Sequence, residues 1–228
     1  MLLDGIKQAF YLLITGDKEV LKISLLSLQI SAEAVFISLI LGIPLGVLLA
    51  LKKFYGRNII VSLINTGMGL PPVVVGLFVA ILLWRSGPLG GLDILYTVTS
   101  MVIVQVIISF PVVVGLSMAA IQQLNPKLQL QILALGATKL QMLILLIKEA
   151  KLPLLAAIMA GFGAVISEVG AVMMVGGNIK GHTRVLTTAI VMETRMGNLD
   201  MAIALGIILL LLVFGVNFAL TVIQQKRN

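Results

Sequence analysis

An all-α, polytopic membrane protein with about five transmembrane helices is the fold class the sequence predicts, and two observations carry that expectation. The 228-residue chain is 60% hydrophobic and 11% charged, with a mean hydropathy of +1.16, whereas soluble domains are roughly 45–50% apolar and about 25% charged. Its apolar residues gather into runs near residues 34–51, 59–84, 94–121, 153–176 and 201–223. Each run approaches or exceeds the ~20 residues that carry a helix across ~30 Å of hydrocarbon. The alternating pattern of barrel strands is absent, and lipid offers no partner to a free N–H or C=O, so helices are the spanning structure that remains. Residues 1–228 read as a single membrane domain.

Before the first run, Asp4, Lys7, Asp17, Lys18 and Glu19 bracket the short "AFYLLI". That pattern lacks the basic start and clean apolar centre of a cleaved signal, and predicts an interfacial amphipathic helix over 1–19. Ser24, Ser27, Ser31 and Ser38 recur at three-, four- and seven-residue spacing near one helix face, where small hydroxyls pack helices together. Glu33 is the first of two carboxylates within the apolar segments; such a group must be paired, protonated or facing water.

Pro44 in "LGIPLG", Pro71-Pro72 in "GMGLPPVVVG" and Pro111 in "SFPVVVG" each remove a backbone donor in mid-span. The carbonyls they free need a partner or a wet cavity, so a helix break is expected at each, beside something other than lipid. Gly42, Gly46, Gly67, Gly69 and Gly76 supply positions for close helix approach.

The stretch 125–153, "NPKLQLQILALGATKLQMLILLIKEAKLP", opens on a helix-initiating Asn-Pro. It reads as an amphipathic helix over 125–151 containing a turn at Ala134-Leu135-Gly136-Ala137. The fourth run contains Glu168, which is either a hydrogen-bond anchor or a pathway residue. Gly176-Gly177-Asn178 then ends the helix, and a loop over 177–200 leads to the last run.

Five spans put the termini on opposite sides. One side collects nine Lys and Arg (Lys52, Lys53, Arg57, Lys127, Lys139, Lys148, Lys151, Lys226 and Arg227) against one carboxylate, and the other seven against six. The nine crowd beside the span ends, so the positive-inside rule places them in the cytoplasm, with the N-terminus outside and the C-terminus inside. On this topology 125–151 is cytoplasmic and 177–200 external. Sorted this way, the net charge of +7 and pI near 9.9 describe membrane sidedness and call for no nucleic-acid partner.

Chemistry is sparse. "GGNIKGHT" has the G-x-x-x-x-G spacing of a phosphate loop, with His182 where lysine belongs. It follows a membrane span and not a buried strand, which rejects the match. One histidine, no cysteine and no clustered carboxylates leave no nucleophile–base pair, no metal site and no cofactor to expect. The chain is expected not to be an enzyme.

The Leu-Gly-Ala turn resembles the cytoplasmic loop of ABC importer permeases, whose Glu-Ala-Ala-x-x-x-Gly motif docks on the ATPase. Here Leu130, Gln131 and Ile132 stand at the Glu-Ala-Ala positions, and Leu152-Pro153 falls one turn later than the family's Leu-Pro. With "GLPPVVVGL", "RSGPLG" and "SEVGAVMMVGGNIKGHTRVLTTAI", nearly the whole chain is similar to the tungstate-type ABC permeases, relatives of the molybdate permeases.

The resemblance implies a type I importer permease in a prokaryotic cytoplasmic membrane, a homodimer with one pathway on its axis. It also implies two cytoplasmic ATPases and an extracytoplasmic oxyanion-binding protein. Ala134, Leu135, Gly136, Ala137 and Lys139 would couple to the ATPase. Pro71, Pro72, Gly76, Pro111, Glu168, Gly170, Met173, Met174, Gly176, Gly177 and Asn178 would form the pathway and gate. His182, Thr183, Arg184, Thr187 and Thr188 would meet the incoming anion or its binding protein. Tungstate, molybdate and sulfate stay open, because selectivity would reside in the binding protein.

Two rivals fit less. A secondary transporter calls for coupling-ion sites and internal repeats, and neither is visible in the sequence. A purely structural membrane subunit leaves the Leu-Gly-Ala turn and the proline pattern unexplained.

Overall fold

The computed structural model describes residues 2–225, so Lys226 and Arg227 of the charge count lie outside the described residues. Among the described residues every regular element is helical: α1 (Leu2–Thr15), α2 (Lys18–Leu51), α3 (Arg57–Met68), α4 (Pro72–Leu83), α5 (Val98–Gln122), α6 (Pro126–Ala134), α7 (Lys139–Glu149), α8 (Lys151–Ile166), α9 (Gly170–Gly176), α10 (Leu186–Arg195) and α11 (Leu199–Gln225), with a short 3₁₀ turn at Gly90–Leu92. Helices α2, α5 and α11 are each long and apolar enough to span alone. The pairs α3/α4 and α8/α9 qualify only when joined, and they bend by 103° and 59° at their breaks, which brings the total to as many as five spans.

Helix α2 starts at Lys18, well before the apolar run at 34. Asp17 caps it, its Oδ1 accepting from the amides of Glu19 (3.0 Å) and Val20 (2.9 Å), a satisfied N-cap on a positive helix end. Its 34 residues reach about 50 Å, beyond a ~30 Å hydrocarbon core. The charged first turns can therefore belong to the same helix as the membrane span.

The α2–α5 pair is the centre of the bundle. A Cβ on Gly46 would lie 2.7 Å from the Val114 carbonyl oxygen of α5, so the two backbones touch with no side chain between them. Two of the four serines tie helices together. Ser38 Oγ lies 2.7 Å from Ser109 Oγ, and Ser27 Oγ accepts from the Leu186 amide at 2.9 Å, tying α2 to α5 and to the start of α10. Helix α8 packs on this pair, and α11 lies outside it with Leu210, Phe214 and Phe218 turned outward. Helix α1 lies along the first turns of α11, where Gly5 meets Ile203.

Two of the expected breaks are absent. Pro44 and Pro111 sit inside uninterrupted helices, because each removes one donor and frees one carbonyl while tight packing holds the rest of the ladder. A Cβ on Gly67 would fall 2.8 Å from Pro111 Cβ, so α3 fits against the proline. Only Pro71-Pro72 coincides with a break. Pro72 there opens α4, a position where the missing N–H would have had no helical partner anyway. The second break, at 167–169, contains no proline.

Candidate functional site

The two breaks face each other. Helix α9 has seven residues and lies against the start of α4: a Cβ on Gly76 would stand 2.5 Å from Ala171 Cα, and one on Gly170 2.5 Å from Val73 Cγ2. Glu168 turns its carboxylate onto the next helix, Oε1 accepting the Ala171 amide at 3.0 Å. It therefore caps the first turn of α9, where a negative charge is favoured. On the other side of the break, Gln105 of α5 donates its amide to the Val165 carbonyl at 3.2 Å, near the open end of α8.

The far end of α9 is equally tied. Gly177 (φ +70°) and Asn178 (φ +51°) reverse the chain in the left-handed region, and Gly177 N donates to Met173 O at 2.9 Å. The Val175 carbonyl receives the Tyr96 amide (2.8 Å) and Ser100 Oγ (2.9 Å), and the Gly176 carbonyl receives Thr183 Oγ1. Ala171, Val172, Val175 and Gly176 are buried on one face. At 100° per residue Met173 and Met174 point the opposite way, half-buried.

Most of the expected pathway residues thus fall around one joint. Pro71, Pro72 and Gly76 come from α4 and its lead-in, and Glu168, Gly170, Met173, Met174, Gly176, Gly177 and Asn178 from α9 and its flanks. Pro111 lies beside Gly67, near the end of α3.

Beyond α9 the chain folds into a compact turn, with the amides of His182, Thr183 and Arg184 converging on the Ile179 carbonyl. Thr183, Thr187 and Thr188 are buried. Thr183 also accepts from the Ile179 amide (3.0 Å), Thr187 Oγ1 donates to the Glu168 carbonyl (3.0 Å), and Thr188 Oγ1 accepts from the Val185 amide (3.1 Å). These hydroxyls are spent inside the chain and hold the turn to α9 and α10. Of the five residues expected to meet an anion, His182 is exposed and Arg184 is largely buried, its side chain 12% accessible. Glu19 faces this turn, 2.8 Å from Lys180 Nζ and 4.0 Å from an Arg184 Nη.

At the other end of α5, the segment expected to be one helix with a turn is two helices. Asn125 caps α6 by accepting the Lys127 amide (2.9 Å). Thr138 and Gln141 form a reciprocal capping box at the start of α7, with bonds of 3.3 and 2.8 Å. Between them Gly136 takes φ +83°, and a Cβ there would meet nothing within 4 Å. The glycine is required by backbone conformation alone. Leu135 is 88% exposed, Leu130 69% and Leu140 68%, while Ile132 and Leu146 anchor the two helices to α2, α5 and α8. The result is a braced knuckle with leucines at its tip, flanked by Ala134, Ala137 and Lys139.

Gln105, Ser100 and Tyr96 are working residues that sequence reasoning missed. Gln105 and Ser109, one turn apart in an apolar run, were the available signal. No group of three or more His, Asp or Glu that could hold a metal occurs among the described residues.

Spanning helices broken at a shared joint, with a braced knuckle on one face, define a polytopic membrane permease. The chain belongs to the family of binding-protein-dependent transport system inner membrane components, whose model matches residues 42–228. It is 41% identical over 98% of its length, and 98% of the relative's, to the tungstate uptake system permease protein TupB of Peptoclostridium acidaminophilum. It is 44% identical to a probable anion ABC transporter permease protein of Haloferax volcanii, over 86% of each chain. The fold superposes on a chain of the MetNI methionine ABC transporter in an inward-facing conformation with a TM-score of 0.76, at 17% identity, covering 92% of this chain and 96% of that one. This is a permease subunit, and not itself an enzyme.

Proposed function

We propose that the chain is the membrane permease of an ATP-driven importer for a tetrahedral oxyanion, tungstate in the first place, with molybdate or sulfate as the alternative cargo of the same machine. The observation that carries this reading is the 41% identity to a tungstate permease, sustained over 98% of both chains. Two copies would line one pathway with their α4–α9 joints. Two ATPases would grip the α6–α7 knuckles, and an oxyanion-binding protein would deliver at the opposite face. Closing the ATPases would draw the knuckles together and open the pathway outward. The test is tungstate uptake by cells with and without this chain, with molybdate and sulfate as competitors in the cells that carry it; persistence is judged in the cells without it. Uptake that persists, or that sulfate suppresses as readily as tungstate itself, would refute the tungstate assignment.

The orientation, N-terminus outside and C-terminus inside, is part of the same proposal. A cysteine introduced at Lys180 should react with a membrane-impermeant thiol reagent in intact cells, and one at Lys139 only after permeabilisation. The natural chain has no cysteine, so labelling has no background within it, and the opposite pattern would invert the topology.

The free face of α9 supports a gate at Met173 and Met174. Flexible thioethers that are only half-buried can repack between an open and a closed state with little strain. Changing both to Ala should leave the thermal midpoint within a few degrees of wild type. In proteoliposomes it should raise passive tungstate leak or ATP turnover without binding protein. A tight, fully coupled double variant would move the gate to another part of the joint.

A further inference from the structure

Helix α2 opens with Lys18 and Lys22, one turn apart and so on one face. The turn after α9 brings Lys180 and Arg184 beside them around an open groove of about 260 Å³. One carboxylate lines this groove, Glu19, so four cations face a single negative charge. Nearby Asp17 is engaged in capping α2, and Glu193, which lines the adjoining cleft, accepts the side-chain amide of Asn198 at 2.9 Å. Glu19 lies 2.8 Å from Lys180 Nζ and 4.0 Å from an Arg184 Nη, and one carboxylate cannot neutralise four cations; Arg184 Nε is buried with no hydrogen-bond partner within the chain.

The groove is also continuous with an apolar wall. Lys18 and Lys22 line a second open cleft of about 460 Å³ with Leu21 and Leu25, which are 49% and 64% exposed on the spanning helix.

We propose that this corner binds an anionic phospholipid, with its phosphate among Lys18, Lys22, Lys180 and Arg184 and an acyl chain along Leu21 and Leu25. The shared ligand chemistry is a tetrahedral oxyanion, which a free anion also carries. The apolar wall leading straight from the cations decides for a lipid, because a bare oxyanion gains nothing from the leucines. At 34 residues α2 exceeds a ~30 Å hydrocarbon core, which allows its first turns to stand at headgroup level, where each basic side chain would add a charge-assisted contact to a lipid phosphate. The inference does not depend on which anion is transported.

The experiment is native mass spectrometry of the purified full-length permease, titrated in separate arms with phosphatidylglycerol, phosphatidylcholine, and sodium tungstate without lipid. Phosphatidylglycerol should bind at least ten-fold tighter than phosphatidylcholine. Lys22→Gln and Lys180→Gln should each weaken it about five-fold, and Lys148→Gln should not. Glu19→Gln, which removes the competing carboxylate, should strengthen it, an outcome that misfolding cannot imitate. Equal binding of the two lipids, or no gain in Glu19→Gln, would overturn the proposal. Tungstate binding with the same lysine dependence, in the absence of phosphatidylglycerol binding, would overturn the lipid assignment in favour of a free-anion site.

Discussion

Gly136→Asp is expected to leave the permease folded and to stop it working. The residue stands at φ +83° with open space around its Cβ position, so the fold bears only the left-handed penalty, about 1–2 kcal/mol and less for Asp than for branched residues. The ATPase, by contrast, would meet a new charged side chain at the tip of the knuckle where docking needs close approach. Leu135→Glu is the cleaner companion. At 88% exposed, Leu135 contributes little to the isolated fold, whereas burying a leucine at an interface is worth about 1.5–3 kcal/mol. Losing that should weaken ATPase association by about 10- to 100-fold. Co-purification with the ATPase and tungstate-stimulated ATP turnover are the measurements. If both survive in both variants, the knuckle is not the coupling element.

Gly76→Ala should be a strongly damaging single-methyl change at the α4–α9 joint. The added carbon would lie 2.5 Å from Ala171 Cα, a backbone atom that cannot turn aside, so α4 and α9 must separate. Overpacking of this kind costs typically 1–3 kcal/mol and occasionally more, about 2–12 °C in thermal midpoint for a chain of this size. Gly163→Ala, inside α8 with nothing within 4 Å of its Cβ position, is the control. There the same methyl should be neutral or stabilise by up to ~1 kcal/mol through helix propensity. Similar midpoints for the two variants in detergent would mean that α4 and α9 do not pack as described. Because the joint gathers most of the expected pathway residues, Gly76→Ala should also lower transport more than its stability loss explains.

The spanning pattern was legible because hydrophobic runs of ~20 residues admit few other solutions. Its ends were not. Lys18, Glu19 and Lys22 look like a boundary, yet they are the first turns of α2, since a helix can outgrow the hydrocarbon and carry its charges into the headgroups. Prolines misled in a second way. Pro44 and Pro111 lie within continuous helices, while the bend at 167–169 arises without one. That bend is held by a glutamate capping the next helix and a glutamine reaching the carbonyl of the previous one. These are tertiary contacts, invisible to a one-dimensional reading. The threonines after α9 were plausible ligands by composition, but the direction of a hydroxyl depends on which carbonyl the fold sets beside it. The knuckle was the most readable part, because Asn-Pro, Leu-Gly-Ala and Thr-x-x-Gln are local signals with local causes.

The three bare leucines of the knuckle bear on how much permease a cell keeps. Leu130, Leu135 and Leu140 are 69%, 88% and 68% exposed, apolar side chains that nothing within a solitary subunit covers. A chain synthesised in excess of a partner that covers the knuckle would offer these leucines to chaperones and proteases. The surplus would then be cleared, and the abundance of the membrane subunit would follow that of a partner that covers the knuckle. If the knuckle is the coupling element proposed above, the same tip would serve, before assembly, as the mark by which an unmatched copy is recognised.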